Sequence, residues 1–345
     1  MKHTHGGNIY TYRNCLDFSS NCNPLGTPDS VKEAIRKSAD LIMHYPQVES
    51  GDLCSAIAAY EGVSEEQVIC GNGAAEVIFS LCRALRPRKA LLPAPTFAEY
   101  EQALTSVDAK ILYFPLREEQ DYILDETILD RLVPGIDMLF ICNPNNPTGM
   151  LTDGALMRKL LEKCASNGIF LAADECFLDF VEGQENYTLK NYLDSFGNLL
   201  ILKAFTKRYS MAGVRLGYGL CGNEELIRKM TFQNQPWNVS APAQLAGLAA
   251  LKEKEFVEQG RKMALSEAVY LKHAMKELGL QVFPSQANYI FFKGPEDLFR
   301  ECVEHGILIR DCSNYEGLTK GYYRIAVRSH TDNERLIRVF TEILK

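Results

Sequence analysis

Short apolar runs alternate with longer amphipathic segments between about residues 67 and 221, and this alternation limits the possible folds more than any other feature. The apolar runs are QVICG, KALLP, MLFICNP, IFLAADE, LLILKAF and RLGYGLC, and segments such as AAEVIFSLCRAL and DGALMRKLLEKCASNG lie between them. Buried strands that alternate with helices are typical of a parallel sheet. We therefore predict an α/β fold with a mainly parallel sheet and helices on both faces.

The C-terminal part of the chain has a different pattern. LQVF, NYIFFK, ILIR and YYRIAV are strand-like, and DLFRECVEHG and DNERLIRVFTEILK are amphipathic. A chain of 345 residues also exceeds the usual size of a single core. We predict an N-terminal arm over 1–40 that contributes to the small domain and the active site, a large domain over 41–250, and a small α+β domain over 251–345 with a connecting helix at about 255–279.

Composition argues against several classes of partner. The net charge of −7 disfavours a nucleic-acid-binding surface, which is typically basic. No window approaches the roughly 18 apolar residues of a membrane span, and the N-terminus lacks the apolar core of a signal peptide. The eleven cysteines form no C-x-x-C and the six histidines no H-E-x-x-H. We expect a cytoplasmic protein with reduced thiols, no metal, and no nucleic-acid or membrane partner.

Three motifs follow strands and therefore meet at one edge of the predicted sheet. CGNGAAE, at 70–76, is a glycine turn before a helix, which is either a tight turn or a phosphate site. CNPNNPTG, at 142–149, is a rigid turn that presents side-chain amides. LAADECF, at 171–177, ends an apolar strand with Asp174 and Glu175, which are helix caps or buried charges that need partners.

The stretch AFTKRYSMAGVRLGYG adds Lys207 and, eight positions later, Arg215 at the same edge. Two cations beside a candidate phosphate turn suit a phosphorylated cofactor that a lysine captures covalently. This order of motifs resembles the fold-type I family of pyridoxal-phosphate enzymes, the aspartate aminotransferase superfamily, over essentially the whole chain. Thr206 and Gly217 also fit the family pattern, whereas Ala204 stands where serine or glycine is usual.

The resemblance implies pyridoxal 5′-phosphate as the cofactor and gives the site residues their roles. Lys207 is expected to bind the cofactor and to act as base and acid at the substrate Cα, and Asp174 to hold a proton on the pyridine nitrogen. Asn146 is expected to hydrogen-bond the phenolic oxygen. The other implied contacts are ring stacking by Phe97 and phosphate binding by Gly73, Ala74, Ala75, Thr206, Arg215 and, from a neighbouring subunit, Tyr45. A homodimer with shared active sites is therefore implied.

One position departs from the aminotransferase pattern. Many aminotransferases have a tyrosine three residues after the pyridine-binding aspartate, where it hydrogen-bonds the phenolic oxygen of the cofactor. This chain has Phe177 there. The resemblance therefore implies that one hydrogen bond to the cofactor is missing.

Several stretches narrow the resemblance to one group within the family. HGGN, LDFSSNCNPLG, DECFLDF, PWNVSAPA, LIRDCSNYEGL and YYRIAVRS look like the L-threonine O-3-phosphate decarboxylases of the cobalamin pathway. Histidinol-phosphate aminotransferases share the scaffold but generally lack HGGN and YYRIAVRS, and they are the alternative. A non-catalytic regulator that binds pyridoxal phosphate is disfavoured, because Lys207 and Asp174 are both present and we expect no attached DNA-binding region.

Arginines of the C-terminal strands suit a doubly anionic, phosphorylated amino-acid substrate. The resemblance assigns the substrate α-carboxylate to Arg324 and the substrate phosphate to Arg310. Arg328, Asn23 and His5 are candidate helpers. The alternatives are surface ion pairs for the arginines and a disordered terminus for His5.

Overall fold

The computed structural model describes residues 5–345, so residues 1–4 of the predicted arm lie outside the described residues. The strands are β1 Leu16–Asp17, β2 Val68–Gly71, β3 Lys89–Ala94, β4 Lys110–Pro115, β5 Met138–Cys142, β6 Phe170–Asp174, β7 Leu199–Ala204, β8 Gly217–Leu220, β9 Gln281–Val282, β10 Tyr289–Lys293, β11 Ile307–Leu308, β12 Arg310–Asp311 and β13 Tyr322–Ala326. The α-helices are α1 Asp29–Ser38, α2 Gly51–Glu61, α3 Ala74–Leu85, α4 Ala98–Thr105, α5 Gly154–Ser166, α6 Phe205–Arg208, α7 Glu224–Thr231, α8 Ala241–Ala250, α9 Lys254–Glu277, α10 Leu298–Glu304 and α11 His330–Leu344.

A seven-stranded sheet forms the larger part of the molecule, in the order β2-β8-β7-β6-β5-β3-β4. Only β8 runs antiparallel to its neighbours β2 and β7. Alternate residues along a strand enter different apolar clusters: Leu171 and Ile201 pack on one face, and Ala172 and Leu200 on the other. Helices therefore cover both faces, as parallel strands with continuous apolar sequence require. The predicted α/β fold with a mainly parallel sheet is confirmed.

The C-terminal part builds a smaller sheet, in the order β12-β13-β10-β9, and its strands are antiparallel. Phe292, Ile325, Leu336 and Phe340 belong to the apolar cluster between this sheet and helices such as α11. Strand β1 of the N-terminal arm pairs in parallel with β11 in a separate two-stranded sheet, and the Phe18 carbonyl accepts a hydrogen bond at 2.7 Å from the N–H of Ala326 on β13 of the small sheet. The division of the chain at residues 40 and 250 stays a prediction.

One edge of the large sheet carries the polar segments. Strands β2, β5, β6 and β7 run in the same direction, so their carboxyl ends share this edge. Strand β8 begins there, directly after Arg215 and Leu216. Among residues 5–345, no helix is both long enough and apolar enough to span a bilayer.

Candidate active site

A cavity of about 230 Å³ lies at this edge, between the large sheet and the small one. It brings together most of the predicted site residues, although they come from distant parts of the chain. The predicted residues that line it are His5, Ala74, Ala75, Phe97, Asn146, Asp174, Thr206, Lys207, Arg215, Arg310 and Arg324. Gly73 is the residue immediately before α3, at the same wall.

Asp174 is the last residue of β6, and two donors hold its buried carboxylate. The Tyr100 hydroxyl donates to Oδ2 at 2.5 Å, and the Cys176 backbone N–H donates to Oδ1 at 3.0 Å. Burial and the negative charge of Asp174 raise the pKa of Tyr100 far above its usual value, so the phenol stays protonated as a donor. The orientation of the carboxylate is therefore fixed before any ligand binds.

Lys207 lies on the single turn of helix that follows β7. Within residues 5–345 its ammonium group has no hydrogen-bond or ion-pair partner, and it lies 5.5 Å from the centre of the Phe177 ring. Its backbone carbonyl accepts a hydrogen bond from the Asn23 N–H at 3.0 Å, which ties the segment to the N-terminal arm. The lysine is thus fixed by its backbone while its amine is left available to the cavity.

The two neighbouring cations of this segment are neutralised away from the cavity. Lys203 lies 3.0 Å from the Glu175 carboxylate, and Arg208 forms a two-point ion pair with Asp179 in which both N–O distances are 2.8 Å. Burial opposes the charge of Lys203, but Glu175 and Asp179 raise its pKa overall. Glu175 therefore has the buried partner that its position at a strand end required. Lys207 is the cation of the three that remains free.

The turn between β2 and α3 forms a cradle with Arg215. The N–H groups of Ala74 and Ala75, in the first turn of α3, have no acceptor within the helix. Gly73 has φ of +83°, and a Cβ atom at that position would collide with the Arg215 guanidinium. Arg215 itself has φ of +60°, which is uncommon outside glycine. Two free amides, a helix N-terminus and a guanidinium converge here, as a phosphate site requires.

The opposite wall of the cavity belongs to the small sheet. Arg310 on β12 and Arg324 on β13 face each other directly across the antiparallel ladder, and both are buried. Arg324 donates to the Asn146 side-chain oxygen and, at 2.8 Å, to the Ser19 carbonyl, while its Nε is buried without a partner among the described residues. Arg310 donates to the Asn314 side-chain oxygen at 2.7 Å. This wall is therefore strongly cationic.

The candidate helper residues and Tyr45 differ in their distance from the cavity. His5 lines the cavity, and its Nδ1 lies 3.1 Å from the Glu99 carboxylate. Asn23 does not line it; its side-chain amide donates to the Arg208 carbonyl at 2.9 Å.

Arg328 and Tyr45 also lie outside the cavity of this chain. The Arg328 guanidinium is held by the Asp332 carboxylate and the Asp17 carbonyl, each at 3.0 Å. Tyr45 is 80% exposed, and its ring stacks on Trp237 with a centroid distance of 4.6 Å. Arg328 thus contacts the N-terminal arm, and Tyr45 lies on the outer surface.

Sequence reasoning missed several residues in and around the cavity. Tyr100 lies on α4 outside the cavity lining and donates to Asp174; it follows Phe97 by three residues, so a partner for Asp174 could have been sought there. Glu99 and the thiols Cys142 and Cys176 line the cavity itself. Burial raises the pKa of both thiols, so they are neutral side chains near Asp174. Tyr315 enters from the loop after β12, and no local pattern marks it as part of the site.

Comparison with known proteins places these features in a family. A family model described as "Aminotransferase class I and II" matches residues 13–340. The chain belongs to this family. It is 36% identical to threonine-phosphate decarboxylase of Salmonella typhimurium over 352 residues, which cover 99% of this chain and 96% of the relative. It is 30% identical to histidinol-phosphate aminotransferase of Anoxybacillus flavithermus, with 97% of this chain and 90% of that protein covered.

The solved structures include a similar chain. The crystal structure of histidinol-phosphate aminotransferase from Clostridium acetobutylicum has a TM-score of 0.88 and 27% identity to this chain, and the match covers 95% of this chain and 99% of that one. Enzymes of this family depend on pyridoxal phosphate, which is therefore the cofactor of this protein. The free amine of Lys207, the held carboxylate of Asp174 and the cradle at Gly73 fit that group.

Proposed function

We propose that this protein is a decarboxylase of L-threonine O-3-phosphate that releases (R)-1-aminopropan-2-yl phosphate for cobalamin synthesis. The observation that carries this proposal is the buried pair Arg310 and Arg324, which faces Lys207 across one cavity. Two guanidinium groups on one wall of a cavity can each bind an anionic group of a substrate. An amino acid with one carboxylate and one phosphate supplies both. The identity to the Salmonella decarboxylase supports the same substrate.

Each residue of the large-sheet wall has a task in this proposal. Bound pyridoxal phosphate supplies an electron-withdrawing ring that stabilises negative charge at the substrate Cα. Asp174 holds the proton on the ring nitrogen, and Asn146 donates to the phenolic oxygen. Phe97 covers the ring, while Arg215, Thr206 and the amides of Gly73, Ala74 and Ala75 bind the cofactor phosphate. Lys207 holds the cofactor and afterwards delivers a proton to Cα.

The small-sheet wall selects the bond that breaks. Arg324 binds the substrate carboxylate and Arg310 binds the substrate phosphate, so the substrate is fixed at both ends. That grip would fix the orientation of the Cα–carboxylate bond and so favour loss of the carboxylate over removal of the Cα proton. His5 assists at the phosphate end. Asn23 and Arg328 act indirectly, through the backbone of the Lys207 segment and through the N-terminal arm.

The homodimer is part of the same proposal. Large apolar side chains are exposed around Tyr45, namely Ile42 and Met43, which precede it in the chain, and Trp237, on which it stacks. Exposed apolar groups of this size mark protein interfaces. A second copy of the chain that covers this surface would bring its Tyr45 toward the cofactor phosphate of the first. All eleven cysteines are free, which agrees with a cytoplasmic location.

The decisive experiment omits any amino acceptor. The purified protein is loaded with pyridoxal phosphate and incubated with L-threonine O-3-phosphate alone, and CO₂ and aminopropanol phosphate are followed. Sustained release of both supports the decarboxylase. If no CO₂ appears, while histidinol phosphate and 2-oxoglutarate give glutamate, the protein is an aminotransferase and the proposed reaction is wrong.

A further inference from the structure

Position 177 has no hydroxyl group, and two buried phenols of the described chain, Tyr289 on β10 and Tyr100 on α4, already donate to other groups. The Phe177 ring packs edge-on against Tyr289, with centroids 4.9 Å apart. The Tyr289 hydroxyl donates to the Asn145 carbonyl at 2.8 Å, so that phenol is already engaged. The Tyr100 hydroxyl is engaged by Asp174. Any phenol donor at the Asn146 corner must come from elsewhere.

Tyr315 is the only tyrosine that lines the cavity within the part of the chain that the structure describes. Its ring is buried, and its hydroxyl lies 3.5 Å from the side-chain oxygen of Asn146. That oxygen already accepts from Arg324, and 3.5 Å is long for an O–H···O bond. The phenol is therefore at the right corner of the site and is not committed to a strong partner there.

The position of Tyr315 is well defined by its surroundings. The backbone N–H of Tyr315 donates to the Cys312 carbonyl at 3.1 Å, and its own carbonyl accepts from the Leu318 N–H at 3.1 Å. The Arg310 guanidinium carbon lies 5.3 Å from the ring centre. Burial raises the pKa of Tyr315, against the lowering effect of Arg324 and Arg310, so the hydroxyl remains a donor at neutral pH.

We propose that Tyr315 donates its hydroxyl to the phenolic oxygen of the bound cofactor and so replaces, from the small-sheet side, the tyrosine that Phe177 lacks. This inference rests on the proposed cofactor-binding role of Lys207 and Asn146. The proposal adds a cofactor-binding residue from the loop after β12. This loop lies across the cavity from Phe97 and Asp174, the residues proposed to contact the cofactor ring. The hydrogen bond forms only while the two walls of the cavity are together.

The hydrogen bond has a measurable consequence besides turnover. A donor at the phenolic oxygen stabilises the negative charge there, and it thereby lowers the proton affinity of the adjacent nitrogen that Lys207 supplies. The pH midpoint of the visible absorbance of the bound cofactor reports that affinity. Removal of the donor should therefore move the midpoint upward. A hydrogen bond to a charged group corresponds to a shift of about one pH unit or more.

The experiment compares four cofactor-loaded proteins: the natural chain, Tyr315→Phe, Phe177→Tyr and the double variant. Absorbance is titrated with pH in the absence of substrate. We expect Tyr315→Phe to raise the midpoint by about one unit and the double variant to restore at least about half of that shift. Tyr322→Phe is the matched control, because that buried phenol donates to Glu118 outside the cavity and should leave the midpoint unchanged.

Several outcomes would overturn the inference. A midpoint for Tyr315→Phe that stays within about 0.2 units of the natural chain, with cofactor bound, removes Tyr315 from this role. If Tyr315→Phe does not fold, Phe177→Tyr alone decides: a midpoint that falls by about one full unit shows that no phenol was donating before, whereas a much smaller fall supports Tyr315. If the natural chain gains no visible absorbance with pyridoxal phosphate, the proposed cofactor site itself has failed, and this inference fails with it.

Discussion

The two walls of the cavity are built in different ways. The large-sheet wall takes Asp174, Asn146 and Lys207 from the ends of adjacent parallel strands or the turns that follow them, where backbone ladders set their relative positions. The small-sheet wall combines a cross-strand arginine pair with a loop and with the N-terminal arm, which are brought together only by tertiary packing. In the proposed function, the large sheet therefore sets the positions of the residues that bind the cofactor, whereas the positions of the residues that bind the substrate depend on how the small sheet and the arm pack against it.

The sharpest test of the large-sheet wall is Lys207→Ala. Because the free amine is the one group expected both to hold the cofactor and to move a proton, turnover should fall by about 10⁴-fold or more. The visible absorbance of the bound cofactor should disappear as well. Lys262→Ala, at a largely exposed lysine, is the control and should change neither property. A Lys207→Ala protein with normal activity and spectrum would remove this residue from the site.

The small-sheet wall is tested by Arg310→Ala. The loss of a buried, charge-assisted contact should lower kcat/KM for threonine phosphate by about 10²-fold, with a smaller effect on unphosphorylated threonine. Steady-state kinetics with both substrates measures the ratio. Arg300→Ala, at a surface arginine, should leave both values unchanged. If kcat/KM falls equally for the two substrates, Arg310 does not bind the substrate phosphate.

The ionic network behind the large sheet predicts a pH effect on stability. Burial raises the pKa of Glu61, but Lys203, Arg208 and a hydrogen bond from Tyr218 together bring it down to about 2. A carboxyl with a lowered folded pKa stabilises the native state above its unfolded pKa, and that contribution is lost as pH falls toward the folded value. Between about pH 5 and pH 2 the natural chain should therefore lose about 3 kcal/mol more than Glu61→Gln.

Urea unfolding followed by circular dichroism at several acidic pH values measures this difference. Glu66→Gln is a suitable control, because Glu66 is exposed on the short turn before β2. Parallel pH profiles for the natural chain and Glu61→Gln would show that the ionisation of Glu61 does not couple to folding. This test measures how Glu61 contributes to folding stability and does not depend on cofactor binding or on catalysis.

The smallest expected effect concerns the neighbouring subunit of the proposed homodimer. Tyr45→Ala should weaken pyridoxal-phosphate binding by about tenfold, the value of one hydrogen bond to a charged group. Equilibrium titration of the cofactor measures the affinity, and sedimentation velocity measures the oligomeric state. Tyr10→Ala, at another exposed tyrosine, should have no effect on either. Identical affinities for the two variants would contradict a contribution of Tyr45 to the partner's site.

The sequence predicts the two walls with different success, and the reason is physical. Lys207, Asp174 and Asn146 lie in local motifs at strand ends, and parallel strands bring such motifs to one edge. The apolar pattern of strand β4 is weak because the strand lies at the edge of the sheet and only one of its six residues, Phe114, is buried. The phenols of Tyr100 and Tyr315 could not be assigned, because their contacts depend on rotamers and on loop packing. Whether another phenol takes the place of the hydroxyl that Phe177 lacks likewise depends on contacts that form only in the folded chain.

The direct pairing of Arg310 with Arg324 has a further consequence for how the site can fail. Residues opposite each other in an antiparallel ladder are held about 5 Å apart at their Cβ atoms by backbone hydrogen bonds. Strand register therefore fixes the points from which the two proposed anion-binding side chains extend. Local melting of β12 would therefore displace Arg310 alone, because Arg324 also pairs with Phe291 of β10 and stays on its own strand.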